Sequence, residues 1–421
     1  STSTIQTYYP KVNTMFKTYT GLEYLAIDVA NAYGLDKRPF EERIEWVKAH
    51  QHRLEALDYL AEEPHLYNKA VAHFRKALKG LPTGHAVALD SCASGLQLMS
   101  VMTGCKSGCY MTGLIDPDKR MDAYSLVTGY MNDLLGKDSV VVSRLDAKQG
   151  VMCSLYGSKA TPKVIFGYKS PAYNAFYEVL EDKCKGAYRL LNVLISAWDS
   201  KKDFNHWVLP DGFNAYVPVM QSQIDRVKVE ELEYTMSVQT WLNQPLDYSV
   251  SLAANVVHSV DAYVLRTLVR RCNYNVKQVT NAIGLIQEAL KDIRLVYFYS
   301  DEAIMPVHLF NKTGIADISC LEHLPKIVNQ LPQRMLKQLL ATFTEMLKNE
   351  PFEVITVHDS FACLPNHCNV LRYWYKEILA EIAESTMLDH LLSQLFGEEC
   401  VFTKLDNNLA PLIRNSNYGL S

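Results

Sequence analysis

Apolar residues at helical spacing run through most of this chain, so nearly every stable element open to it is an amphipathic helix. Residues 40–62 (FEERIEWVKAHQHRLEALDYLAE) read as one helix stopped near Pro64. Val276, Val279, Ile283, Ile286, Leu290 and Ile293 mark a second, over 276–293. Met335, Leu339, Leu340, Phe343 and Leu347 mark a third, over 334–347. Strand-like runs are scarce. The two firmest are 85–89 and 354–358, with weaker ones in 233–257, and both firm runs lead into an aspartate: HAVALD ends on Asp90 and VITVHD on Asp359. No internal repeat, low-complexity tract or linker interrupts the pattern. The fold class is therefore α+β, mostly helical, with a small sheet that carries both aspartates.

The 421 residues suffice for several subdomains around a large core, and 48% hydrophobic with 21% charged residues describes an ordinary globular chain. No apolar run reaches the ~18–20 residues a membrane span needs. A net charge of −4 means that any nucleic-acid contact must use local basic patches or a partner's charge. The ten cysteines form no CxxC pair and no disulfide framework, which reads as reduced thiols in a cytoplasmic protein. His358, Cys363, His367 and Cys368 could be drawn as a zinc cluster, but their spacing matches no familiar ligand pattern. The opening STSTIQTYYPKVNTMFKTYTGLE has no acid before Glu23. It reads as an extended arm; a transit peptide is opposed by Pro10 and the lack of Arg. Ser1 in place of an initiator Met reads as a processed start.

A carboxylate at the end of a buried strand is fixed by rigid backbone while its head faces a cleft. Two such groups can hold two divalent cations roughly 3.5–4 Å apart. Magnesium takes few carboxylates and shares its other positions with water and substrate phosphates, so two aspartates suffice. Alone, Asp90 reads better as the N-cap of the helix that follows it. Asp359 is harder to explain as a cap, because HDSFACLP does not continue as a helix. A third element is RLDAKQGVMCSLYGSKA, residues 144–160. As a helix it sets Arg144, Lys148, Met152 and Tyr156 on one slanted ridge, with about 12 Å between Lys148 and Tyr156. Cations at one end suit phosphates, and an aromatic at the other suits a sugar and base. Gly157 then breaks the helix. A solvated basic face with one buried tyrosine is the plainer alternative.

With these elements together, the chain resembles the single-subunit DNA-dependent RNA polymerases of T-odd phages and mitochondria. ALDSCASGLQ around Asp90 is similar to that family's motif A, Arg144–Gly157 to motif B, and VHDSF around Asp359 to motif C. GLEYLAIDVANAYGLDKRPFEERI, WVLPDGF and ANVVHSVDAYVLR also look like family segments, and the resemblance covers well over half of the chain. It implies a right-hand polymerase with palm, fingers and partial thumb-side elements, and with the N-terminal domain missing. The implied division is an N-terminal palm-proximal helical segment (1–80), palm with motif A (81–120) and fingers with motif B (121–250). Palm with motif C follows (251–421), including a helical insertion near 265–350 and a C-terminal tail that ends close to the active site. The resemblance implies two Mg²⁺ ions on Asp90 and Asp359, with the Ser91 carbonyl joining them. It implies that Arg144, Lys148 and Lys37 grip the triphosphate, with Lys148 also protonating the leaving group. Tyr156, Tyr124 and Met152 would line the nucleotide site, and His258 would sense the ribose 2′-OH.

Family A DNA polymerases share the RxxxK…YG and HD patterns and remain the alternative, together with a non-catalytic polymerase-derived nucleic-acid-binding subunit. Met152 where those enzymes usually carry Phe or Tyr, HDS in place of HDE, and a polar partner for a 2′-OH in His258 favour RNA. No DxxGR or TxxGR motif precedes Asp90, so the chain resembles the larger, catalytic subunit of the heterodimeric polymerases of N-four-type phages. That likeness implies several partners: a second polypeptide supplying the N-terminal domain and the missing motif, a DNA template, nascent RNA, ribonucleoside triphosphates and a helper that presents single-stranded template. It implies no membrane partner. The implied setting is the cytoplasm of an infected bacterium, with a mitochondrion the lesser alternative. The span from Tyr156 to His258 looks short for the family, which leads to an expectation of trimmed promoter-reading elements and weak promoter recognition.

Overall fold

The computed structural model describes residues 16–137, 139–292 and 294–421. The arm expected at the N-terminus falls, up to Met15, outside the described residues. The chain opens with α1 (Gly21–Ala30), α2 (Phe40–His50) and α3 (Pro64–Leu78). A capping box starts α1: Thr20 accepts from the Glu23 N–H while Glu23 reaches back to the Thr20 N–H. The single helix expected over 40–62 is not continuous. Regular α-helix ends at His50 and a 3₁₀ stretch, Gln51–Leu60, is kinked at Arg53. Tertiary donors take over there: Arg75 bonds the Gln51 carbonyl at 2.5 Å and Tyr67 the Leu54 carbonyl at 2.7 Å, both from α3. Pro64 opens the next helix, where its missing N–H costs nothing.

Strand β1 (Val87–Asp90) leads to α4 (Ser94–Thr103), α5 (Lys106–Met111), α6 (Ala123–Leu135) and α7 (Arg144–Leu155). Then come α8 (Ala160–Phe166), α9 (Pro171–Lys183) and α10 (Lys185–Ser196). Two hairpins follow, β2 (Phe204–Val208) with β3 (Asn214–Pro218), and β4 (Met220–Val229) with β5 (Tyr234–Asn243). The long α11 (Ser251–Cys272) precedes α12 (Val276–Lys291), α13 (Asp301–Thr313), the short α14 (Leu324–Ile327) and α15 (Gln333–Met346). The helices read from periodicity at 276–293 and 334–347 therefore stand within a residue or two of expectation. Strands β6 (Ile355–Val357) and β7 (Ser360–Cys363) precede α16 (Cys368–Glu384), α17 (Met387–Phe396) and α18 (Leu409–Arg414). No helix among the described residues is long and apolar enough to cross a membrane.

What positions the site is a three-stranded antiparallel sheet in the order β1-β7-β6, backed by helices. Along β1, Val87 and Leu89 are buried while Ala88 and Asp90 face outward, the alternation a strand imposes. Helix α4 is buried from Gly95 to Thr103 and packs against α11 and α16 beneath the sheet. The free edge of β1 is covered by the C-terminal segment. Ser421 donates to the Asp90 carbonyl at 2.9 Å and accepts from the Asp90 N–H at 3.2 Å. Upstream of that contact, Tyr418 stacks on Phe40 at 5.0 Å, and Gln97 bonds the Gly419 carbonyl at 3.1 Å.

Candidate active site

The register of β1 against β7 sets Asp90 directly opposite Ser360, and the two-residue turn between β6 and β7 carries His358 and Asp359. Asp359 thereby lies beside Asp90. Ser91 clamps it there: the Ser91 N–H bonds the Asp359 carbonyl at 3.0 Å and its hydroxyl the carboxylate at 3.2 Å. The helix-cap reading of Asp90 fails. Ala93 occupies the N-cap of α4, with left-handed backbone and no side-chain cap. Of the four non-glycine residues with positive φ among the described residues, Ala93 and His358 flank the two aspartates. Such strain costs about 1–3 kcal/mol per residue and concentrates at functional sites.

Both carboxylates face an open cleft. Burial at its floor pushes the Asp90 carboxyl above its ordinary range; the nearby charge of Asp359 adds to the shift, and a hydrogen bond from Ser360 opposes it. Position 360 thus faces Asp90 with a hydroxyl, where an acid would have added a further carboxylate.

The cleft has a volume of about 520 Å³, and its walls bring Lys37, Tyr124, Arg144 and Lys148 to the same side as Asp90 and Ser91. Helix α7 does start at Arg144, capped by Ser143 accepting from the Asp146 N–H. Its inner face, Ala147, Gly150, Val151 and Leu155, is buried. A Cβ at Gly150 would stand 2.8 Å from Phe166, so only glycine lets α7 lie this close to α8. The outer ridge is the expected one. Arg144 and Lys148 both lie 5.8 Å from the Tyr124 ring centre, and Met152 is exposed. An adjoining recess joins Lys148, Met152 and Tyr156 to Ser91 and Asp359. At the far end Tyr156 stacks on His258 of α11, centroids 4.8 Å apart and planes 11° apart. The Tyr156 hydroxyl is seated over Gly95, where a Cβ would meet it at 2.8 Å. Gly157 ends the helix at φ 94°. Lys37, Asp90, Ser91, Tyr124, Arg144, Lys148, Met152, Tyr156 and Asp359 therefore line this cleft and recess, with Lys37 at the rim beside Asp36 (3.7 Å), and His258 reaches the recess by its stack on Tyr156. The four residues of the zinc drawing do otherwise: Cys363 and Cys368 face each other at 3.7 Å, His367 stacks on Phe352, and His358 is exposed in its turn.

Three charged residues around the site escaped the sequence reading. Asp122 caps α6 by accepting from the Tyr124 N–H, and at the same time takes Arg144 in a two-pronged pair at 2.7 and 3.1 Å. Burial alone would raise its carboxyl, but hydrogen bonds from Arg144 and Ser125 carry it below the usual range. Arg120 lines the cleft and pulls the Asp90 carboxyl downward; its Nε is buried without a hydrogen-bond partner. Asp261 sits one helical turn beyond His258. Burial lifts its carboxyl to about 6, with the charge of Asp359 adding and that of His358 opposing. Asp90, Asp359 and Asp261 thus form a chain of mutually repelling carboxylates at one end of a basic ridge, an arrangement suited to hard cations and phosphates.

Residues 17–164 match the family model for DNA-dependent RNA polymerase. The match takes in Lys37, Asp90, Tyr124, Arg144, Lys148 and Tyr156, and stops short of His258 and Asp359. The DNA-directed RNA polymerase of Pseudomonas phage phiKMV is 23% identical over 305 residues, covering 58% of this chain and 37% of that protein. The probable DNA-directed RNA polymerase of Neurospora crassa is 28% identical over 162 residues, covering 33% of this chain and 18% of that protein. The chain therefore spans well under half the length of either relative.

Proposed function

We propose that this chain is the catalytic subunit of a DNA-directed RNA polymerase, adding ribonucleotides to a growing strand against a DNA template. The observation that carries the reading is the pairing of β1 with β7, which sets Asp90 and Asp359 side by side at the foot of the Arg144–Lys148–Tyr156 ridge. Among the described residues no three His, Cys, Asp or Glu side chains close into a metal cage. An open carboxylate pair is what magnesium shares with substrate phosphates. Asp90 and Asp359, with the Ser91 carbonyl, would hold two Mg²⁺ ions. When bound, these would acidify the attacking 3′-hydroxyl and neutralise charge on the leaving pyrophosphate.

The chain's own residues do the rest. Arg144, locked by Asp122, offers the rest of its fork to the triphosphate, and Lys148 lies one turn along as a second cation and proton donor to the leaving group. Lys37 closes the phosphate end from the rim. Tyr124 and Met152 shape the nucleotide's bed, and Tyr156 carries the base and sugar. His258, stacked on Tyr156, is placed to hydrogen-bond a ribose 2′-OH, which a deoxynucleotide would leave unpaired. The setting we propose is phage transcription in the bacterial cytoplasm. A second polypeptide would act with this chain, and a helper would present single-stranded template. The region between Tyr156 and His258 carries two hairpins, one of them long and exposed, and weak promoter recognition by this chain remains part of the proposal.

The test is primer extension on a preassembled RNA–DNA scaffold with Mg²⁺, supplying ribo- or deoxyribonucleoside triphosphates. Wild type should use ribonucleotides, and His258→Ala should narrow the preference. Equal use of deoxynucleotides by wild type would instead indicate a DNA polymerase.

A further inference from the structure

The cleft wall near Asp90 holds two cations, Arg120 and Arg43, that no carboxylate answers. Arg120 and Asp122 both line the cleft while Met121 between them is buried, the alternation of an extended segment leading into α6. Asp122 is taken up by Arg144. Arg120 is fixed by neutral groups instead. Its Nη1 donates to the Met121 carbonyl and lies 3.8 Å from the Cys92 sulfur, and its Nε is buried with no hydrogen-bond partner.

Arg43 reinforces it from α2. It is fully buried over the Phe40 ring, 4.7 Å from its centre, and donates to the Arg38 carbonyl at 2.7 Å and to Asn31, a cleft residue, at 2.9 Å. Its Nη2 is buried without a partner. Burial pulls the Arg43 guanidinium down to about 9, and the charge of Arg120 adds to the fall. Asp36, which opposes that shift, is itself beside Lys37 at 3.7 Å. Among the described residues neither arginine has a carboxylate at ion-pair distance; their bonds go to carbonyls, an amide and a sulfur. Like charges held this way are unfavourable in an empty cleft, and an entering anion relieves them.

Resting on the polymerase reading, we infer that Arg120, reinforced by Arg43, is a second arm of the phosphate clamp. It meets the β- and γ-phosphates of the incoming nucleotide from the Asp90 side, while Arg144 and Lys148 approach from α7, and it holds the pyrophosphate once released. A guanidinium with an unused N–H matches phosphate oxygens by its planar fork. A corner that concentrates two such charges suits a compact polyanion better than a strand backbone, which spreads one charge over each phosphate.

The test is calorimetric titration of the full chain with inorganic tripolyphosphate and with pyrophosphate, in EDTA, so that no effect travels through cations on Asp90. Wild type should bind both. Arg120→Gln should weaken each by about tenfold or more, the loss of a charge-assisted hydrogen bond to an anion, and Arg120→Lys should recover part of it. Binding of an RNA–DNA scaffold should be the same in wild type and both variants, which also shows that the variants are folded. Equal polyphosphate affinity in wild type and Arg120→Gln would overturn the inference, as would a wild type that binds no tripolyphosphate. Weakened scaffold binding with unchanged polyphosphate affinity would assign Arg120 to the strand backbone and overturn it equally. Nothing is turned over in these titrations, so their failure is distinct from a failure of primer extension.

Discussion

Asp261 is expected to destabilise the protein in which it sits, in a way that pH reveals. A carboxyl held at about 6 instead of its ordinary 3.8 binds its proton more tightly in the native than in the unfolded chain. Keeping it charged above pH 6 costs about 2–3 kcal/mol, allowing for its being only half-buried. Replacing Asp261 with Asn removes that cost while keeping the shape. In metal-free buffer at pH 8, D261N should therefore be more stable by about 2–3 kcal/mol. As pH falls from 6 toward 4 the native wild type takes up its proton first, so its disadvantage shrinks, and below pH 4 both states are neutral and the gain vanishes. Urea unfolding of the two proteins at pH 8, 6 and 4 measures this directly. A gain that persists at pH 4, or a loss at pH 8, would refute the claim that Asp261 is strained by burial and by Asp359. Asp261→Asn should also lower activity, since strained carboxylates beside a cleft are retained for function.

Asp122→Asn weakens a two-pronged charged pair worth about 2 kcal/mol, so steady-state kinetics should show KM for nucleotide rising roughly thirtyfold while kcat changes little. Arg120 lowers the Asp90 carboxyl, so Arg120→Gln should move the acidic limb of the pH–activity profile to higher pH. An unmoved limb would remove Arg120 from the site. Arg271 is buried and paired with Glu381 at 2.6 and 2.9 Å. Arg271→Ala should cost about 3–5 kcal/mol in denaturant unfolding by stranding that carboxylate, and Arg271→Met with Glu381→Leu should cost less.

The legible parts of this fold are those whose signal is local. Two apolar runs ending on Asp90 and Asp359 predict two strands, and the pairing of β1 with β7 brings the acids together. The ridge from Arg144 to Tyr156 follows from helical spacing alone. What sequence could not give is what tertiary neighbours decide. The 40–62 helix breaks because Arg75 and Tyr67 compete for its carbonyls. Ala93 takes the cap that Asp90 was expected to fill, because the chain must turn sharply from β1 into α4. The β4–β5 arm carries no amphipathic burial signal because neither face is buried. Asp122, Arg120 and Asp261 drew no notice in the sequence: Arg120 and Asp122 precede a helix in a loop and Asp261 lies within a helix. Their significance comes only from Arg144, Asp90 and Asp359 beside them. Asp122 could have been suspected from its capping position before AYSLV.

The most direct measurement of the central claim is single-nucleotide addition on an RNA–DNA scaffold, offering each ribonucleoside triphosphate separately with Mg²⁺. The chain, alone or with any polypeptide that co-purifies with it, should add only the nucleotide complementary to the template base, and Asp359→Ala should abolish addition. Addition that ignores the template base, addition that survives in Asp359→Ala, or no addition in either form of the protein would contradict it.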